Sequence, residues 1–259
     1  IHTGGFCITR GPLFDLVPVE NGAMEGRTVL QWDKDDVAAA GLMKVDLLSL
    51  GMLTAVAKSL ATIAETEGTE LTLASIPAEE PDTYAMMRDG DTVGVFQIES
   101  RAQMNMLPRL KPRTFHDLVV EVAIIRPGPI VGKMVHPYLQ RRDGLEPVVY
   151  PHPLFEPILK RTLGIMLFQE QVMRVAVVGA GFTLGEADGL RKAMSHKRCH
   201  EKLLRLKERF VGGLRSLGVS QEAGDAVFHQ LESFSQYGFP ESHAASFALI
   251  AYASAWLKR

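Results

Sequence analysis

The segment Leu42-Met43-Lys44-Val45-Asp46-Leu47-Leu48 sets a carboxylate two residues after an ammonium. Read as a strand, its period of two puts Lys44, Asp46 and Leu48 on one face and Met43, Val45 and Leu47 on the other. A carboxylate beside a cation stays ionised and can offer oxygen to Mg²⁺, while a lysine meets phosphate as a point charge. The alternative is an ordinary ion pair on an edge strand, and on these residues alone the ion pair is favoured. One aspartate cannot make a two-metal site, which needs several bridging carboxylates, so any partners lie elsewhere.

A second cluster begins at Thr183-Leu184-Gly185-Glu186, which has capping-box spacing and predicts a helix over 183–195. Leu184, Ala187, Leu190 and Met194 recur at three or four residues and are expected to form its buried stripe. Arg191 and Lys192 fall beside that stripe, and Lys197, Arg198, Lys202, Arg205, Lys207 and Arg209 follow. Residues 191–209 thus hold 8 basic residues against Glu201 and Glu208, a one-sided surface suited to phosphate. Charge runs are also common on plain solvated helix faces. Farther on, Tyr237 to His243 reads as a turn feeding a helix with Ser242 as N-cap, so His243 is expected in an exposed first turn where it can reach a sugar or phosphate, or simply be tolerated. Phe247, Ile250 and Trp256 are expected to bury. Arg126-Pro127-Gly128-Pro129 is a rigid turn whose arginine could face a ligand.

Val175 to Gly181 imitates the strand and glycine turn of a dinucleotide fold, with Glu201 at a suggestive distance. The spacing Gly179-x-Gly181-x-x-x-Gly185 departs from the fingerprint, and no β-α alternation surrounds it. A helix–turn–helix connection is expected there, with a nicotinamide enzyme as a minor alternative.

The elements that must carry these residues fall into two parts. Residues 1–31 are rich in Gly and Pro with short β-like pieces, Asp33–Ala40 reads as a helix stopped by Gly41, and the strand at 42–48 follows. Helical patterns then cover 54–67, about 115–125, 166–178, 183–195, 199–217, 221–236 and 242–259. The division is expected near residue 55. Composition agrees with a two-part globular chain: 259 residues, 46% hydrophobic and 22% charged, with a net charge of −2. That near-zero value averages 6 basic against 16 acidic residues in 1–100 and 22 against 14 in 101–259. Low complexity and disorder are excluded. The longest uncharged apolar-rich run, Ser242 to Leu257, is short for a bilayer span. Cys7 and Cys199 alone make neither a disulfide framework nor a cysteine zinc site, and a reducing cytoplasm is expected. The start lacks Met and a signal pattern, and the end stops inside a helical stretch, so both ends are expected to continue into a longer protein.

Taken in order, seven motifs resemble the bacterial replicative polymerase family, the DNA polymerase III alpha subunit class. They are Gln31-Trp32-Asp33-Lys34-Asp35-Asp36-Val37, Gly41-Leu42-Met43-Lys44-Val45-Asp46, Gly94-Val95-Phe96-Gln97-Ile98-Glu99-Ser100-Arg101, Arg126-Pro127-Gly128-Pro129, Phe168-Gln169-Glu170-Gln171-Val172-Met173, Ala187 to Met194, and Gly238 to Ala244. Ser100 to Met104, Ile130-Val131-Gly132-Lys133 and Phe239 to Ala244 look like the error-prone, damage-tolerant branch; the main replicase and a non-catalytic DNA-binding relative are the alternatives. The resemblance implies an α+β chain. Residues 1–55 would be the end of a polymerase-beta-like nucleotidyltransferase palm, and 56–259 a mostly α-helical fingers domain. It places Asp46 on the third catalytic, Mg²⁺-binding carboxylate and Lys44 near the incoming triphosphate. Arg191 and Lys192 fall on a basic pair that contacts the triphosphate; the family commonly has two arginines there, so Lys192 departs. His243 falls beside the nucleotide sugar, and Lys197, Arg198 and Lys202 on DNA. The other two catalytic aspartates are implied upstream of Ile1, so this chain alone is expected not to extend primers. Implied partners are primer-template DNA, deoxynucleoside triphosphates and a sliding clamp or repair proteins reached through other regions, with no membrane.

Overall fold

The structure, a computed structural model, describes residues 5–46, 51–125, 132–195, 200–235 and 238–259. Its contacts divide the chain into two compact units, Ile1–Lys58 and Ser59–Arg259.

The first unit is built from two small antiparallel pairs. Strand β1 (Gly5–Ile8) is followed by β2 (Val19–Asn21) and β3 (Thr28–Leu30), which form a hairpin whose Gly26 takes a φ of 73°. Helix α1 (Lys34–Ala39) comes next, with the Asp33 carboxylate accepting from the Asp36 amide at 2.9 Å. Gly41, at φ 68°, ends it as its sequence position predicts, because an αL residue there costs glycine nothing. Strand β4 (Met43–Asp46) then returns to pair with β1, Lys44 opposite Cys7 and Asp46 opposite Gly5. The strand expected over 42–48 is therefore present, with Leu47 and Leu48 outside the described residues. Val17 and Val37 are buried in this unit, whereas Phe6, Ile8 and Met43 stay exposed.

Helix α2 (Gly51–Glu67) runs across the division. After it come α3 (Pro81–Arg88), α4 (Arg101–Leu110), α5 (Phe115–Ile124), α6 (Gly132–Arg142), the short α7 (Glu156–Leu159), α8 (Gln169–Ala180), α9 (Leu184–Ser195), α10 (His200–Ser216), α11 (Gln221–Ser235) and α12 (Glu241–Lys258). Two hydrophobic cores hold them. In one, α5 packs on α12; α5 is buried from Asp117 to Ile124, and α12 presents Ala244, Ala248, Ala251 and Ala255, all without exposure. Alanines at this spacing let two helices approach closely, while the larger Tyr84, Met87, Leu107 and Leu118 fill the flanks. In the other, Phe155, Leu159, Val175, Leu190, Phe210, Leu214 and Phe228 join α7 to α11. Leu167 and Phe168 belong to the first core, whereas Met166 and Val172 belong to the second, so one short segment stitches the two. Gln171 holds that segment: its carbonyl accepts from the Leu167 and Phe168 amides at 2.8 and 3.1 Å, and its amide donates to Thr162 Oγ1 and the Ile158 carbonyl.

All seven helical stretches read from the sequence are present, and α3, α4, α6 and the short α7 are additional. Three details differ from the sequence reading. Leu184 is 73% exposed, so the buried stripe of α9 starts at Ala187 and continues through Leu190 and Ala193, with the Met194 side chain outside the described set. Helix α12 starts at Glu241 with Pro240 as its N-cap, not at Ser242, because Pro240 is locked in an extended conformation and the Glu241 amide is satisfied by the Glu170 carboxylate at 2.9 Å. Phe247, Ile250 and Trp256 are half-buried, the alanines having taken the core. No helix among the described residues is long and apolar enough to cross a membrane.

Candidate functional site

In the first unit, the antiparallel register fixes Lys44 and Asp46 at alternate positions of β4, which share a face. Lys44 is exposed and lines a cavity of about 600 Å³ with Phe6, Cys7, Arg27, Trp32 and Asp33. The Asp46 backbone is described and its carboxylate is not. Among the described residues no group of three His, Cys, Asp or Glu side chains could hold a metal.

In the second unit, the capping box predicted at Thr183 forms as read. The Thr183 amide donates to Glu186 at 2.7 Å and the Glu186 amide to Thr183 Oγ1 at 3.2 Å, contacts that also hold the Glu186 carboxyl below its usual range. Helix α9 then delivers Arg191 and Lys192 one and two residues after the buried Leu190. Asp188 binds both: Arg191 Nη2 at 2.8 Å and Lys192 Nζ at 2.8 Å. Lys192 first and Arg191 next hold the Asp188 carboxyl below its ordinary value. Arg191 Nη1 also reaches Gln169 Oε1 at 3.5 Å. Gln169 stands at the start of α8, where its side-chain amide donates to the Gly238 carbonyl at 2.8 Å and its backbone amide to the Phe239 carbonyl at 3.1 Å. Phe239 in turn lies against His243, ring centroids 5.1 Å apart, and His243 against Phe247 at 4.0 Å. The end of α9, the start of α8 and the turn before α12 are therefore linked through Gln169, and His243 is exposed. Sequence reasoning did not single out Gln169 as the residue joining Arg191 to the turn before His243. The available signal was Gln169-Glu170-Gln171, three polar residues opening a helix between two apolar stretches.

The rest of the basic run divides. Lys197 and Arg198 lie outside the described residues, as do Arg126 and the Lys202 side chain. Lys207 pairs with Asp225 at 2.9 Å and holds its carboxyl low. Arg209 donates to the Ala180 and Gly181 carbonyls, both at 3.1 Å, and sits 5.1 Å from the Phe182 ring centroid. Both thus tie α10 to its neighbours, the structural role that a charge run can also serve. Gly181, at φ 64°, ends α8 and leads into α9, so the glycine turn is the expected helix–turn–helix and not a dinucleotide loop.

A mostly helical unit thus links Arg191 through Gln169 to the turn before His243, and a separate β-containing unit carries Lys44 and Asp46 at alternate positions of one strand. Comparison with known proteins names the family. Residues 52–218 match the family described as the bacterial DNA polymerase III alpha subunit finger domain, and residues 1–49 the bacterial DNA polymerase III alpha NTPase domain. The chain belongs to the bacterial DNA polymerase III alpha subunit family. It is 58% identical to the error-prone DNA polymerase of Anaeromyxobacter dehalogenans strain 2CP-C across 100% of this chain and 24% of that protein. It is 58% identical to the error-prone DNA polymerase of Alkalilimnicola ehrlichii, across 99% of this chain and 25% of that protein, and to error-prone DNA polymerase 2 of Rhizobium meliloti, across 99% and 24%. The chain thus spans about a quarter of the length of these relatives.

Proposed function

We propose that the chain is the palm-to-fingers portion of an error-prone DNA-directed DNA polymerase that adds deoxynucleotides to a primer 3′-hydroxyl and releases pyrophosphate, in damage tolerance within the cytoplasm. Residues 1–55 would end a nucleotidyltransferase palm, and 56–259 would form the fingers. The observation that supports the reading is the junction at Gln169, which joins Arg191 to the turn that precedes His243. Arg191, with Lys192 beside it, would meet the triphosphate of the incoming nucleotide, exchanging Asp188 for phosphate oxygens. His243, braced between Phe239 and Phe247, would lie against the sugar and help exclude ribose. Lys44 would meet the triphosphate from the palm, and Lys197, Arg198 and Lys202 the DNA backbone.

Asp46 suits magnesium by donor chemistry, a carboxylate oxygen, but as one ligand it leaves the site incomplete. The family resemblance assigns the other carboxylates to a strand preceding residue 1. Magnesium held there would neutralise charge developing on the transferred phosphate. A sliding clamp or repair proteins would recruit the enzyme through regions beyond this chain. In the full-length polymerase, Asp46→Asn is expected to remove nearly all primer extension while leaving DNA binding intact. Near-normal extension by that variant would withdraw Asp46 from catalysis.

A further inference from the structure

A second cationic cavity lies in the helical unit, formed where the segment before α3, the helix α3 itself and the α4–α5 connection converge. It holds about 540 Å³ and is lined by Glu79, Pro81, Tyr84, Arg88, Lys111 and Arg113. Its walls are held from behind. Arg88 Nη1 donates to the Pro112 carbonyl at 3.1 Å, Arg142 Nη2 to the Lys111 carbonyl at 3.3 Å, and the Arg113 amide to the Asp117 carboxylate at 2.8 Å. Asp117 is itself paired with Arg142 at 2.5 Å, so its charge is answered before it reaches the cavity. Glu79 is the remaining anion, and both its oxygens take the Phe115 amide at 3.0 and 3.2 Å. Three cations therefore outweigh one carboxylate that is already hydrogen-bonded.

Tyr84 supplies the second observation. The residue is 1% exposed, and its hydroxyl is buried with no hydrogen-bond partner among the described residues. Burial first, and then the Glu79 carboxylate beside it, hold that hydroxyl protonated, so it remains a donor. Beside three cations, an acceptor-rich anion entering the cavity can take that donor.

We propose that this cavity is a phosphate-binding site, with Arg88, Lys111 and Arg113 supplying charge and Tyr84 a hydrogen bond, and that its occupant is a backbone phosphodiester of bound DNA. The choice of DNA rests on the polymerase reading; the anion chemistry does not. The site contributes affinity without base specificity, because phosphate carries no sequence.

The test uses the full-length polymerase carrying this chain, with fluorescence anisotropy of a labelled primer-template measured over a series of salt concentrations. A Lys111→Asn/Arg113→Gln double variant is expected to flatten the slope of log affinity against log salt by about 1. Asparagine is chosen because Lys111 holds a φ of 51°. Tyr84→Phe, which keeps its ring against Tyr252, is expected to weaken DNA binding several-fold with the slope unchanged. It also serves as the independent arm should the double variant fail to fold by thermal unfolding. Unchanged slope and unchanged affinity overturn the proposal. Inorganic phosphate, titrated separately, is expected to bind the wild type more tightly than the variants. If it does so while the DNA slope is unaltered, the cavity takes free phosphate and the DNA assignment falls. An enzyme that binds no primer-template at all fails on the polymerase reading, and the phosphate titration then decides the cavity alone.

Discussion

Glu121 lies on α5 with no exposed surface, and neither oxygen of its carboxyl has a hydrogen-bond partner among the described residues. Burial pushes the group up from 4.5 to about 8, so at neutral pH it is a neutral acid inside the helix core. The folded chain then keeps a proton that the unfolded chain releases near the ordinary carboxylate value. Stability must therefore fall as pH rises through the window from 4.5 to about 8, the reverse of a salt-bridged carboxylate. At about 1.4 kcal/mol per pH unit, the loss between pH 5 and pH 7 is about 3 kcal/mol, and the full effect above pH 8 is about 5 kcal/mol. Glu121→Gln keeps the shape, carries no titratable proton, and is expected to lose little stability over that range. Urea unfolding followed by circular dichroism at pH 5, 7 and 8.5 compares the two chains, and groups titrating in both cancel. The variant should be the more stable protein at pH 8.5. If the two stability curves fall in parallel, Glu121 is not the proton carrier and the argument from burial is wrong.

Two glycines adjacent in α10 are expected to respond with opposite signs. A Cβ on Gly213 would fall on the Ala180 carbonyl of α8, well inside van der Waals contact, so Gly213→Ala should destabilise by about 1–3 kcal/mol through overpacking. Gly212 has open space around it, and Gly212→Ala should stabilise by about 0.5–1 kcal/mol; thermal unfolding of both variants checks the pair. On the proposed function, Arg191→Ala in the full-length polymerase should raise the nucleotide KM or lower kcat in steady-state primer extension, and unchanged values of both would remove it from the site.

What could be read before the structure was mostly local. Gly41 as a helix stop and Thr183 with Glu186 as a capping box both formed, since each is decided by backbone chemistry within four residues. Helix α4 carries an equally local signal, Ser100 and Gln103 as a reciprocal cap. Helix α6 was hidden for a different reason: Gly132 and Pro137 both argue against a helix, and packing overrode them. The start of α12 was misplaced because what satisfies it is Glu170, 71 positions away, which no local pattern reveals. The candidate site shows the same limit. Arg191, Lys192 and His243 could be chosen by type and resemblance, but Gln169 acquires its role only from contacts with residues 22 and 69 positions away. Lys207 and Arg209 looked like free phosphate ligands until their partners, on other elements, were known.

Asp188 gives the basic pair of α9 a resident competitor. Because one carboxylate engages both Arg191 and Lys192, the resting triad carries a single net positive charge in place of two. Stray anions of low charge gain little by displacing Asp188, since each contact they form costs one already made. On the proposed function, a triphosphate, with several oxygens and more charge, would take both cations at once and release the carboxylate in a single exchange. The triad would thus act as a threshold on ligand charge, quiet toward weak anions and responsive to polyvalent ones, and Asp188→Asn would lower that threshold even while leaving both cations in place.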